Sequence, residues 1–310
     1  MHDKARWIPS YFVKLPDGRH LAYTDYGDPE GYPLIFCHGV PGCRLEGRYF
    51  DEMAKEWGFR IITPDRPGIG LSQPDKDRTL LNDARDIGWL ADALDIHRFG
   101  IFGWSSGGPV TLATAYSHPS RVTFVASLSG YTNFAIFPKG RDMLLRTGWP
   151  LPKLAQWSGL LFKAVLAIFV LCARLVPGFY YQEVLKACGQ RDRDILSRAD
   201  QESEFLRDQI EAMRSGIGEL ARELNTQHGD WGFRMGDIQV PVELFQGDDD
   251  HFVPVELARH QASRIPLSRL HIRHGDGHMY PLDPEFQAAF FSLARTTLTS
   301  QHHAGTITSD

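Results

Sequence analysis

Apolar residues recur along this 310-residue chain in short unbroken runs, separated by stretches of helical period. Residues 34–37 (Leu-Ile-Phe-Cys), 60–63, 99–102, 122–128 and 240–245 read as buried strands, with 268–273 as the last strand. Apolar runs this short fill the middle of sheets covered on both faces. Between them lie helical segments at 46–57, 82–94, 111–116, 257–265 and 284–298. In the second of these, Ile87, Leu90, Ala91 and Leu94 form one apolar face. Strand–turn–strand patterning at 11–24, with Pro16-Asp17-Gly18 between the strands, predicts an opening antiparallel hairpin. Strands alternating with helices predict an α/β fold, a mostly parallel, doubly wound eight-stranded sheet with helices on both faces.

The alternation stops at residue 131 and resumes near 237. The intervening segment is helical, rich in aromatics and punctuated by Pro138, Pro150, Pro152 and Pro177. Its apolar stretch 164–173 carries no charge, yet is much shorter than the roughly 20 residues a membrane span needs. A helix lining an apolar cavity is the favoured reading, with interfacial membrane contact as the alternative. Residues 191–225 carry dense charges of both signs, with Ile195, Phe205, Leu206, Ile210, Met213 and Leu220 at helical spacing. That pattern predicts a pair of solvated amphipathic helices.

The chemistry concentrates at the turns that end strands. Gly103-Trp104-Ser105-Ser106-Gly107 follows the 99–102 strand and precedes a helix. A serine on so sharp a turn needs glycines beside it, because a nearby Cβ would collide with the adjoining elements. The pentad in this context resembles the α/β-hydrolase superfamily, in a serine-nucleophile branch with a helical cap. The resemblance covers the whole core, about two-thirds of the chain. It implies a core of residues 1–130 and 237–300, a cap over 131–236 and a flexible tail over 301–310.

His38-Gly39-Val40-Pro41-Gly42 is similar to the superfamily's oxyanion loop, which implies an oxyanion hole from the N–H groups of Val40 and Ser106. His38 comes in the wrong chain order for a base and is given a structural role. Asp65-Arg66-x-Gly68-x-Gly70 resembles the loop after the fourth strand, with Asp65 and Arg66 tying it down.

An alcohol is a poor nucleophile at neutral pH, so Ser105 needs a base and a group to orient that base. The superfamily order is serine, acid, histidine. Gly247-x-x-Asp250-x-x-Val253-Pro254 matches its acid loop and implies Asp250, with Asp248 and Asp249 as competitors. Gly277-His278, after the last strand, implies His278 as base, with His274 the alternative and His251 a weaker one. Trp104 and Tyr131 are expected to line the substrate site. Serine at 105 argues against epoxide hydrolases and haloalkane dehalogenases. Val40, where proline iminopeptidases usually carry a second glycine, weakens that reading.

Composition narrows the rest. With 43 % hydrophobic residues and a net charge of −5, the chain is an ordinary globular protein with no basic cluster to bind nucleic acid. Cys37, Cys43, Cys172 and Cys188 show neither metal-ligand spacing nor a disulfide framework, and residues 1–7 lack the apolar core of a signal peptide. The expectation is a cytoplasmic enzyme without cofactor or metal. It would cleave an uncharged, fairly apolar carboxylic ester or lactone through an acyl-enzyme. Carbon–carbon bond hydrolysis, peptidase action and a ligand sensor on a hydrolase fold are the alternatives.

Overall fold

The computed structural model describes residues 9–146 and 159–306. Eight strands form one sheet: β1 (Tyr11–Lys14), β2 (His20–Gly27), β3 (Tyr32–Cys37), β4 (Phe59–Pro64), β5 (Phe99–Trp104), β6 (Val122–Leu128), β7 (Val242–Gly247) and β8 (Ser268–Arg273). Their spatial order is β1-β2-β4-β3-β5-β6-β7-β8. β2 pairs antiparallel with β1 and β4, and every pairing from β4 through β8 is parallel. The mostly parallel sheet read from the sequence is the one observed.

Period-2 alternation explains how each central strand serves two cores. Leu34 and Phe36 of β3 and Phe102 and Trp104 of β5 point into one cluster, with Phe50, Phe59, Phe290 and Phe291. Ile35 and Cys37, with Phe99 and Ile101, point into the other, with Leu90, Val110 and Leu112. All six residues of β5 are buried, which is why its sequence is a continuous apolar run.

Helices α1 (Asp51–Trp57) and α11 (Pro284–Thr306) cover the phenylalanine face. Helices α2 (Leu80–Ala93), α3 (Gly107–Ser117) and α10 (Val255–Arg264) cover the other. Residues 46–57 are not one α-helix: a 3₁₀ turn, Arg44–Phe50, leads into α1. Helix α11 continues through Thr306, into the segment expected as a tail, and Gln301 Nε2 donates to the Thr123 carbonyl (2.8 Å).

Between β6 and β7 the chain makes α4 (Pro138–Arg146), α5 (Gly159–Leu175), α6 (Pro177–Ala187), α7 (Gln190–Leu196), α8 (Gln201–Ala212) and α9 (Ile217–His228). Phe162, Leu166, Val170 and Ala173 form the buried face of α5 and join the phenylalanine-face cluster. The opposite face leaves Leu160, Ile168, Leu171 and Leu175 exposed. No single helix among the described residues is long and apolar enough to cross a membrane. The reading of 191–225 as two solvated helices is wrong. It is three helices, and each buries an acid: Asp192, Asp208 and Glu223.

Candidate active site

Ser105 sits where β5 ends and α3 begins, with φ +55°, in the left-handed region that few non-glycine residues adopt. Its N–H donates to the Leu128 carbonyl at the end of β6 (2.8 Å), which pins the turn to the neighbouring strand. A Cβ at Gly107 would overlap the Cys37 carbonyl, so only glycine lets α3 start this close to β3. The first N–H groups of α3 have no intrahelical acceptor and lie at its positive end.

The loop after β3 passes over this turn: a Cβ built on Gly39 would lie 3.6 Å from Ser105 Cβ. His38 is fully buried, donates from Nδ1 to the Gly39 carbonyl (2.9 Å) and accepts the Arg66 N–H at Nε2 (3.2 Å). Burial and the nearby Arg66 charge push its pKa well down, so it is a neutral brace, in keeping with a structural role. Arg66 does more than tie down its own loop. It donates to the His38 carbonyl, to the Gly39 carbonyl (2.9 Å) and to Ser106 Oγ (3.1 Å).

The loop after β7 separates the three consecutive carboxylates. Asp250 is buried; its Oδ1 accepts the N–H groups of Phe252 and Val253 (both 2.8 Å). Its Oδ2 accepts from Gln246 Nε2 (3.0 Å) and meets His278 Nδ1 at 2.7 Å. Asp248 instead pairs with His274 (2.7 Å), whose side chain is 86 % exposed, and Asp249 approaches His251 at 3.4 Å, also at the surface. Of the competing acid and base candidates, only Asp250 and His278 meet in the interior.

His278 reaches the Ser105 turn through Trp104. The indole N–H donates to the His278 carbonyl (3.1 Å), and the two rings lie 5.6 Å apart. Trp104, expected to line the substrate site, is therefore engaged in holding the histidine loop. Burial opposes charge on His278, but the charge and hydrogen bond of Asp250, helped by Asp192, raise its pKa above the ordinary histidine value. Burial pushes the Tyr131 phenol up to about 12, so it stays protonated, and the nearby Ser105 opposes that rise.

The sequence reading missed a layer of buried acids. Glu46, from the 3₁₀ turn, accepts the Gly39 N–H (2.6 Å). Asp208 accepts the Cys43 N–H (3.0 Å), and its neighbour Gln209 donates to the Pro41 carbonyl. Burial drives both acids upward, Asp208 to about 7, and the Asp208 charge adds to the effect on Glu46. Glu223 joins Arg66 (2.8 Å) and Arg78 (2.6 Å), and Arg78 also pairs with Asp83 (2.8 Å). Burial alone would raise Glu223, but the two arginines hold it down at about 2. The signal was present in the pattern: Asp208 shares a helix face with Phe205 and Ala212, and Glu223 with Leu220 and Leu224. An acid on an apolar stripe marks a buried partner. Among the described residues, no three His, Cys, Asp or Glu gather in metal-ligating geometry.

A sequence model described as the alpha/beta hydrolase fold matches residues 32–284. The chain belongs to the alpha/beta hydrolase fold family. Within it, the "Uncharacterized hydrolase YcgS" of Bacillus subtilis (strain 168) is 27 % identical over 273 residues, 87 % of this chain and 92 % of that protein. A 2-hydroxy-6-oxononadienedioate/2-hydroxy-6-oxononatrienedioate hydrolase of Paraburkholderia xenovorans (strain LB400) is 28 % identical over 283 residues, 87 % of this chain and 89 % of the relative. The solved structure of a thermophilic esterase from Thermogutta terrifontis superposes with a TM-score of 0.67 at 21 % identity, covering 93 % of this chain and 99 % of the other. This alpha/beta hydrolase thus shares its fold with a solved esterase and is similar in sequence to the Bacillus and Paraburkholderia hydrolases.

Proposed function

We propose that this alpha/beta hydrolase is a serine hydrolase of uncharged, fairly apolar carboxylic esters or lactones. The observation that carries the reading is the buried His278–Asp250 pair (2.7 Å), whose histidine carbonyl is bonded by Trp104, the neighbour of a serine at positive φ on a strand-to-helix turn. With Nδ1 donating to Asp250, the imidazole keeps Nε2 free to take the Ser105 proton. The Ser105 oxygen then attacks the ester carbonyl, the alkoxide leaves with the proton returned by His278, and water repeats the cycle on the acyl-enzyme. The N–H groups of Val40 and Ser106 would hold the negative oxygen of each tetrahedral intermediate.

In this reading the inserted helices act as a cap, and the surroundings of the turn favour apolar acyl groups. Val40 and Phe252 pack on the cluster that holds Phe162, Leu166 and Tyr180. Tyr131 sits with Phe134, Val253 and Leu257. Of the other aromatics between residues 131 and 236, Phe179 is exposed and Trp231 packs beneath the sheet. Trp149 and Trp157 lie outside the described residues. Each buried methylene contributes about 0.8 kcal/mol, so kcat/KM should rise roughly threefold per carbon from acetyl toward hexanoyl.

The test is a chain-length series of p-nitrophenyl esters with Ser105→Ala as control, expected to lose on the order of 10⁴- to 10⁶-fold. A flat or falling series would sink the apolar pocket, and equal fluorophosphonate labelling of wild type and variant would remove Ser105 as nucleophile. The Paraburkholderia relative supports a second reading, carbon–carbon bond hydrolysis. Faster turnover of a vinylogous diketone than of any ester would select it.

A further inference from the structure

Asp192 has no part in the chemistry above, yet it touches the segment that carries the base. It lies in the first turn of α7 with its side chain fully buried. One carboxylate oxygen accepts the His278 N–H (2.7 Å) and the other the Met279 N–H (2.8 Å). The carboxylate lies flat on Gly277, where any Cβ would overlap it. The histidine is thus gripped at its ring by Asp250, at its carbonyl by Trp104 and at its N–H by Asp192. Helix α7 is anchored in turn: Arg191 bonds to Asp283, and Arg193 to the Cys188 carbonyl.

We infer that Asp192, contributed by the inserted helices, is a positioning residue for the imidazole of His278. The inference rests on the reading of His278 as the base. Two N–H donors converging on one side chain require two acceptor oxygens, which a carboxylate has and an amide lacks. An asparagine would turn its NH₂ toward one of those donors and displace the loop. Asp192 also adds its charge to that of Asp250, favouring the imidazolium that forms as Ser105 attacks. Its effect therefore belongs on kcat rather than on KM.

Other charged and titratable groups surround this pair. Asp250 faces it from the loop after β7, and the Cys188 thiol from the end of α6. Arg191 also reaches Asp276 (3.5 Å), which is bonded to Arg273, and Arg198 lies near Asp283 (3.6 Å). Among these, Asp250 and Asp192 act on His278 directly.

The experiment compares wild type with Asp192→Asn and Asp192→Ser in the full chain. Active sites are counted by fluorophosphonate titration, p-nitrophenyl butyrate gives kcat and KM, and histidine NMR follows the His278 titration. For Asp192→Asn, kcat per labelled site should fall on the order of 10²-fold with KM within about twofold, and the His278 midpoint should move down. Asp192→Ser keeps one acceptor and should fall between the two. A folded variant with wild-type kcat per site and an unmoved His278 midpoint overturns the inference, and if the asparagine variant fails to fold, the serine variant decides by the same criteria. A wild type that neither labels nor turns over any ester defeats the serine-hydrolase reading instead, while the NMR midpoint still judges the action of Asp192 on the ring.

Discussion

Asp250 turns one carboxylate oxygen to the backbone and the other to the imidazole, and that division decides what its amide would do. Asparagine must keep its carbonyl oxygen on the Phe252 and Val253 N–H groups, which points its NH₂ at His278 Nδ1 and at the Gln246 amide donor. The ring must then carry its proton on Nε2, the wrong tautomer for accepting one from serine. Asp250→Asn should cost on the order of 10⁴-fold in kcat, while Asp248→Asn, whose partner His274 is exposed, should stay within about twofold in steady-state assays. The reverse ranking would move the acid.

The same pair sets the pH dependence. Because Asp250 and Asp192 raise the His278 midpoint against the effect of burial, the neutral base appears only at higher pH than for an ordinary histidine. The rising limb of kcat/KM should therefore centre above 6.5, and a limb at or below that value would contradict the assignment.

At the scale of elements, the strand–turn–helix around Ser105 was legible because every constraint on it is local. Apolar residues fill β5, glycines flank the serine, and α3 begins at once. Gly107→Ala tests how tight that packing is. The added methyl would strike the Cys37 carbonyl, a rigid backbone atom of β3, so the turn must open or the protein must lose stability. The expected cost is about 3 kcal/mol or more, visible as a lowered thermal midpoint, and an unchanged midpoint would show that the turn can give.

The inserted helices were harder to read, and the reason is physical. A charge on a helix reads as solvated unless its partner is known, and the partners of Asp192, Asp208 and Glu223 lie 86 to 165 positions away along the chain, in other elements. Asp192 meets backbone N–H groups after β8, Asp208 the loop after β3, and Glu223 two arginines of the core. Backbone donors leave no mark in a sequence, so the first two contacts could not be anticipated from residue type.

For the whole molecule, these contacts join the helical insertion to the sheet through buried charge. Glu223 is the tie most open to measurement, because both of its arginines are buried and the further acid beside them, Asp83, pairs with Arg78. Glu223→Gln leaves Arg66 and Arg78 in the interior with one carboxylate between them, an uncompensated positive charge. Breaking a buried pair in this way costs about 3–5 kcal/mol, or roughly 6–12 °C in thermal midpoint for a chain of this size. The pH dependence has a definite sign. The arginines depress the Glu223 pKa from 4.5 to about 2, so its contribution is fully present above the ordinary glutamate range and fades as pH falls toward 2. Melting curves of wild type and variant should thus be well separated at pH 7 and converge in acid. Coincident midpoints at pH 7 would show that this tie does not help to hold the insertion.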